Sequence, residues 1–252
     1  MPDNKKTYES KKVVKKWVSD PNYYLFKPES EMYSQLESKL NSMKMLDVGV
    51  GGGRTTYFFA KKAKEYVGID YSKGMIDGCK QKFADLNFVV CDMRDLSVFQ
   101  DSYFDFVFVA WNGLDCVDRE GRLKTLKEIK RVLSKNGMLF FSSHNIQCLE
   151  DHFSLKKSSQ PFTMARYVYR WVQLRRCNKN FKSFFDAPYA FVTDGANDFK
   201  TDLYYIKPAE QFKQLNDFGF KNIKIYSFLD GKEIKSSFEE IKEPWVYYSC
   251  DV

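Results

Sequence analysis

The sequence predicts an α/β fold: a mostly parallel, doubly wound sheet with helices on both faces. Three observations carry this prediction. From residue 43 to residue 143, short apolar runs alternate with helix-patterned segments, and strands apolar throughout belong to a sheet covered on both sides. Each of five such runs ends in acids, glycines or small polar residues. The chain has 252 residues, 44% apolar and 29% charged, which suits one soluble domain with a full core.

Each element has its own justification. Lys44–Val48 (KMLDV) is the first strand and runs into the glycines at 49–53. A helix is expected over Arg54–Lys64. Tyr66–Ile69 is the second strand, and Ser72 is placed to N-cap a helix over Lys73–Ala84. Asn87–Cys91 and Phe104–Ala110 (FDFVFVA) follow as strands. Over Arg119–Ser134, Leu123, Leu126, Ile129 and Leu133 recur near helical spacing, and Asn136-Gly137 reads as its stop. Met138–Ser142 is the fifth strand. Thr163–Cys177 reads as an amphipathic helix inside an otherwise irregular, aromatic stretch. Pro208–Phe218 reads as a helix with Pro at its first turn and Gly219 past its end. Asn222–Phe228 and Trp245–Ser249 complete the strands. Before the first strand lie two helical patches, Tyr8–Val18 and Glu29–Leu40. This divides one domain, 1–252, into an N-terminal cap (1–40), a core (41–144), an insertion (145–202) and a C-terminal helix with two strands (203–252).

The formal charge is +7, too mild to decide between nucleic acid and small anions as partners. The N-terminal lysines read as a solvated helix face. The six cysteines lack zinc-site spacing, and no carboxylate cluster demands a metal. No apolar run reaches membrane-spanning length, and no signal-peptide pattern opens the chain. A reducing cytoplasm is the expected setting.

In an open parallel sheet, ligands bind beyond the carboxyl ends of the strands. Those ends carry Asp47 with the glycine loop, Asp70, Asp92, then Trp111-Asn112-Gly113 with Asp115, and finally Ser143-His144-Asn145. Taken singly, an Asp there caps a helix and a Gly makes a turn; together they describe a lined pocket. Gly49, Gly51 and Gly53 spell G-x-G-x-G, and Arg54 stands where a dinucleotide fingerprint, G-x-G-x-x-G, needs its third glycine. Asp47 also suits a cation or donor better than a phosphate. Asp70, about 20 residues on, sits where a ribose-binding carboxylate belongs.

On these residues the chain resembles the class I S-adenosylmethionine-dependent methyltransferases. LDVGVGGG at 46–53, VGIDYS at 67–72, VVCDM at 89–93, FDFVFVAWNGLD at 104–115 and LKEIKRVLSKNGMLFFSS at 126–143 resemble the family's successive motifs. The tail at 204–228 is similar to family members as well. The resemblance implies a Rossmann-like, seven-stranded sheet whose last strand is antiparallel, and S-adenosylmethionine as cofactor. It implies that Asp47 orients the methionine amino group, Gly49, Gly51 and Gly53 admit the ligand to the main chain, and Asp70 holds the ribose. Tyr71, Met75 and Met93 would pack near the adenine, Asp92 would accept from its amino group, and Asn112 would line the methionine side.

A sulfonium methyl group is already activated, so the protein has chiefly to align the reactants. An oxygen acceptor also needs a base. His144 is the candidate, with Asp115 and Asp118 behind it; His144 either takes that proton or merely shapes the loop. The Asn/Asp-Pro-Pro-Tyr signature of amino-directed nucleic-acid methyltransferases is absent. The insertion concentrates Tyr167, Tyr169, Trp171, Phe181, Phe184, Phe185, Tyr189 and Phe191 with Arg166, Arg170, Arg175 and Arg176, and is expected to form a helical, aromatic lid. Tyr8, Tyr23, Tyr24 and Tyr33 are expected to cover the cofactor. The arginines suggest an anionic small-molecule acceptor: a phosphorylated or nucleotide-linked sugar, or a capsule phosphoramidate precursor, as in the surface-polysaccharide methyltransferases that this chain resembles. An amino sugar, a tRNA or rRNA, and a nicotinamide-dependent oxidoreduction are the alternatives, nucleic acid being disfavoured by the absence of an appended RNA-binding module.

Overall fold

The computed structural model describes residues 4–252. Its strands are β1 (Lys44–Val48), β2 (Glu65–Asp70), β3 (Asn87–Val90), β4 (Phe104–Val109), β5 (Leu133–Asn145), β6 (Tyr189–Val192), β7 (Leu203–Ile206), β8 (Lys221–Ser227) and β9 (Trp245–Asp251). The helices are α1 (Asn4–Tyr8), α2 (Lys11–Val18), α3 (Lys27–Leu36), α4 (Thr56–Phe59), α5 (Lys73–Lys82), α6 (Arg119–Val132), α7 (Leu149–Phe153), α8 (Pro161–Cys177) and α9 (Pro208–Asp217).

All strands join one sheet. β1 pairs in parallel with β2 and with β4, β3 lies beyond β2, and β5 lies beyond β4. Strand order therefore reverses at β1, the place where such sheets bind ligands. β9 runs antiparallel to β5 and carries β8. These seven strands are the expected Rossmann-like sheet with its antiparallel late strand.

Among the described residues nine strands are present, not seven. The extra pair, β6 and β7, forms an antiparallel hairpin in the insertion, and β7 pairs with His144 and Asn145 of β5. β9 occupies one edge of β5 along Met138–His144, and β4 occupies the other edge only to Phe141. The hairpin thus takes the β4 edge past the end of β4, directly over the strand termini.

The alternation of a strand buried on both faces is plain in β4. Val107 and Val109 enter the core under α6 and α9, with Leu126, Ile129 and Leu215. Phe106 and Phe108 enter the opposite core with Met32, Phe59 and Ile76 from α3, α4 and α5. Ser72 and Asp118 cap α5 and α6, accepting from the N–H groups of Met75 and Gly121.

Two elements differ from expectation. The helix after the glycine loop is only Thr56–Phe59, because the chain turns back so that the Lys64 N–H reaches the carbonyls of Leu40 and Met43. The fifth strand starts at Leu133, with Asn136 at φ 67°. A Cβ on Gly137 would lie 2.8 Å from the Ser134 carbonyl oxygen and 3.0 Å from that of Phe104. Asn136-Gly137 therefore kinks a continuing strand, and the β4–β5 register shifts there.

Candidate active site

A cavity of about 440 Å³ opens at the carboxyl ends of the strands, within the ~300–1,000 Å³ typical of small-molecule sites. The main chain of its floor is bare. Gly49 and Gly51 have φ of 73° and 54°, a region that favours glycine, and nothing lies within 4 Å of a Cβ built on Gly49. Asp70 is on the wall, its Oδ2 accepting from the Gly51 N–H (3.1 Å) and its Oδ1 from the Ser72 N–H (2.8 Å). Burial raises its pKa to about 6 against those two bonds. Tyr71, Met75, Met93 and Asn112 also line the cavity.

Three expected ligand contacts are placed elsewhere. Gly53 faces away, where a Cβ would meet the Phe83 ring at 2.7 Å. Asp47 lies beneath the floor, fully buried, its Oδ2 accepting from Thr55 Oγ1 and Tyr66 OH at 2.8 Å each. Its pKa is raised to about 6 by burial, those bonds notwithstanding; Oδ1 has no partner. Asp92 is outside the wall, with Arg94 donating to both its oxygens at 2.9 and 2.6 Å. Burial pushes the Asp92 pKa up, but the Arg94 bonds prevail and hold it below the usual range.

At the end of β5, His144 is part of the wall. Its Nδ1 meets Asp115 Oδ2 at 2.8 Å, and its main-chain N–H donates to the same oxygen at 2.7 Å. Asp115 Oδ1 accepts from Arg122 Nη1 (2.5 Å) and Ser143 Oγ (2.7 Å). With four donors and no exposure, Asp115 cannot be the base that meets an acceptor; it positions His144. Asp118 is likewise engaged as a helix cap. The Asp115 carboxylate accepts from the Nδ1 side of the ring, and the other ring nitrogen, Nε2, faces Asn112 Nδ2 at 3.2 Å. Asn112 and Trp111 are both held at positive φ, 54° and 49°, a strain typical of functional loops.

The lid expectation needs correction. None of the eight insertion aromatics or four insertion arginines named above lines the cavity. The rings pack on one another, as Phe181 does on Phe153 at 4.9 Å, and Arg175 donates to the Phe153 carbonyl and covers Trp171. The insertion instead contributes Asp194, Ala196 and Asn197 to the wall. Of the N-terminal tyrosines only Tyr8 reaches the cavity; Tyr23 stacks on Tyr57 at 4.7 Å.

Sequence reasoning missed Trp17, Trp245 and Arg122. Trp17 meets Trp111 edge-on at 5.0 Å, and Trp245 tilts against Trp111 at 6.2 Å. A hint of the first existed in Val13, Val14, Trp17 and Val18, an apolar face on the lysine-rich helix. Arg122 is fully buried, donating to Asp115, Ser143 and Gln211, and no local pattern marks it. Arg54, also on the wall, is clamped to fully buried Glu29 by two bonds of 2.5 and 2.8 Å.

These residues fit a nucleoside sulfonium. Glycine surfaces open where a side chain would fill the floor, Asp70 retains lone pairs for hydroxyls, and two wall residues bear unpartnered buried polar atoms, Asn112 Oδ1 and Trp17 Nε1.

The sequence profile described as "Methyltransferase domain" matches residues 45–137. The chain is 30% identical over 199 residues to the demethylmenaquinone methyltransferase of Staphylococcus saprophyticus, covering 75% of this chain and 74% of that protein. It superposes with a TM-score of 0.61 on an S-adenosylmethionine-dependent methyltransferase from Clostridium acetobutylicum, at 15% identity and 96% of each chain. The corresponding figures for the 1,6-didemethyltoxoflavin-N1-methyltransferase of Burkholderia thailandensis are 0.56 and 12%, over 99% of this chain and 85% of that one; that structure holds 1,6-didemethyltoxoflavin and S-adenosylhomocysteine.

Proposed function

We propose, since the chain belongs to the class I S-adenosylmethionine-dependent methyltransferases and its cofactor is S-adenosylmethionine, that it methylates a small, planar, ring-bearing acceptor held beside His144. The observation that carries this is the buried Asp115–His144 pair at the wall of a cavity flanked by Trp17, Trp111 and Trp245. Flat aromatic walls suit a flat ring. Two relatives carry names that point the same way, one demethylmenaquinone and the other didemethyltoxoflavin. The phosphorylated-sugar reading loses its main support, because the insertion arginines lie off the wall.

The glycine floor and Asp70 would hold the cofactor. When bound, it supplies a sulfonium methyl group open to in-line displacement. His144 Nε2 takes the proton of a ring hydroxyl or ring N–H. The electron pair so freed forms the bond to the methyl carbon at that oxygen or nitrogen or, delivered through a hydroxyl-bearing ring, at a ring carbon that then loses its hydrogen as a proton, with the neutral thioether as leaving group. Asp115 holds the Nδ1 hydrogen and stabilises the imidazolium so formed, as a buried carboxylate does for a catalytic imidazole. Arg122 offsets the buried charge of Asp115. The cap and the insertion hairpin exclude water from the walls they form.

The test supplies S-adenosylmethionine with demethylmenaquinol analogues, ring N–H heterocycles and a nucleotide sugar, and follows S-adenosylhomocysteine release and acceptor mass. Methylation of a ring acceptor is expected. His144→Ala should lower kcat by about 10²–10⁴-fold and leave the calorimetric affinity for S-adenosylhomocysteine unchanged. Methylation of the sugar alone would refute the ring acceptor, and normal turnover of His144→Ala would refute the base.

A further inference from the structure

The chain's excess of positive charge has one address. Residues 154–185 contain eight Lys and Arg and no Asp or Glu, a formal +8 against +7 for the whole chain. The remainder of the protein is therefore slightly acidic. At the centre of this segment is α8, Pro161–Cys177, whose only buried residue is Leu174. At 17 residues and ~1.5 Å rise per residue, the helix is about 25 Å long.

Its outward face is apolar. Helical spacing of ~100° per residue brings Phe162, Val168, Tyr169 and Val172 onto one side, and they are 83%, 39%, 60% and 36% exposed. Arg166 and Arg176, both exposed, stand among and beside them. The opposite side carries Leu174 into the small core of the insertion with Phe153, Val192 and Leu203. Apolar side chains left outside, on a helix already docked by its other face, are not there to stabilise the fold.

We infer that the outward face of α8 docks on an anionic lipid surface, lying in the plane of the headgroups. The combination of exposed aromatic and aliphatic side chains with basic ones, and no acid for 32 residues, is the chemistry of interfacial helices. Basic residues near such a surface act additively and are weakened by salt. A nucleic-acid backbone would match the arginines but leave Val168 and Val172 without a role, and a second copy of this chain would set one +8 segment against another. No helix among the described residues is long and apolar enough to cross a membrane, so the contact is peripheral. α8 is also tied to the cavity: Arg170 Nη2 donates to the carbonyl of the wall residue Asp194 at 2.9 Å. A docked α8 is therefore linked directly to the cavity wall, whatever acceptor the cavity takes.

Co-sedimentation with vesicles tests this without any turnover. The protein should bind phosphatidylcholine vesicles containing phosphatidylglycerol, bind pure phosphatidylcholine weakly, and detach in high salt. Phe162→Asp combined with Tyr169→Asp, and separately Arg166→Glu with Arg176→Glu, should each weaken binding by about tenfold or more, with an unchanged circular dichroism melt. Absence of vesicle binding overturns the inference. So does binding indifferent to lipid charge or to both pairs of substitutions, retention of a tRNA without vesicles, or a salt-stable dimer by light scattering that ignores vesicles.

Discussion

Asp70 already accepts from the N–H groups of Gly51 and Ser72, and burial lifts its pKa to about 6 against those bonds. Its ionised form offers ligand hydroxyls every remaining lone pair and a full charge, and protonation removes the charge and turns one oxygen into a donor. The sign follows: above about pH 6 the group is ionised and affinity is flat, while below it protonation competes with the ligand. We expect affinity for S-adenosylhomocysteine to fall by up to tenfold per pH unit below that point, and Asp70→Asn to bind weakly at every pH with that slope gone. Calorimetric titrations across pH 5 to 8 decide it; a wild-type affinity flat through the acid range would remove Asp70 from the ligand. At this scale the sequence was informative about which residues reach the cavity wall from the strand ends, as with Asp70, Asn112 and His144. It was silent on rotation. Asp92 ends a strand too, yet Arg94, two residues on, draws its carboxylate away, and nothing in the spacing separates that outcome from a ligand contact.

Among elements, the contact of α2 with the glycine loop is the most exacting. A Cβ on Gly52 would lie 2.1 Å from the Trp17 carbonyl oxygen, and backbone cannot yield as a side-chain tip can. Gly52→Ala should lift α2 from the loop and take Trp17 off the wall. We expect about a tenfold or greater loss of affinity for S-adenosylhomocysteine, protease sensitivity within residues 11–20, and a main sheet that still melts cooperatively. Wild-type proteolysis and affinity would show that the contact is dispensable. The five core strands were legible because a parallel strand buried on both faces leaves a dense apolar run. The hairpin β6–β7 was not. Its strands are four residues each, flanked by polar turns, and its reason to exist is the unused edge of β5 beyond β4, which is a property of the sheet. Asn136-Gly137 misled in the opposite direction: a turn signal that only bends a strand.

The whole molecule closes over the cavity from three sides: the strand ends, the N-terminal helices and the insertion. They are laced together near the chain start, by Thr7 to Lys200, by Lys12 to Asp198 and, most centrally placed, by Asn4. Asn4 Nδ2 donates to the carbonyls of Cys116 (2.9 Å) and Asp202 (2.7 Å), and Asn4 Oδ1 accepts from the Asp202 N–H (3.1 Å). Asn4 is buried despite sitting on a five-residue helix. It joins the cap to the loop after β4, at the wall residue Cys116, and to the entry of β7, yet is itself part of neither the main core nor the cavity wall. Such bonds contribute about 0.5–1.5 kcal/mol each, but only to the closed arrangement, so their loss should appear in opening and not in global unfolding. Asn4→Ala is therefore expected to speed stopped-flow release of S-adenosylhomocysteine by about tenfold, raise amide exchange in α1 and α2, and shift the melting temperature by no more than a few degrees. A large fall in melting temperature with release unchanged would mean that Asn4 serves the fold itself, and that the cap does not open to exchange the cofactor.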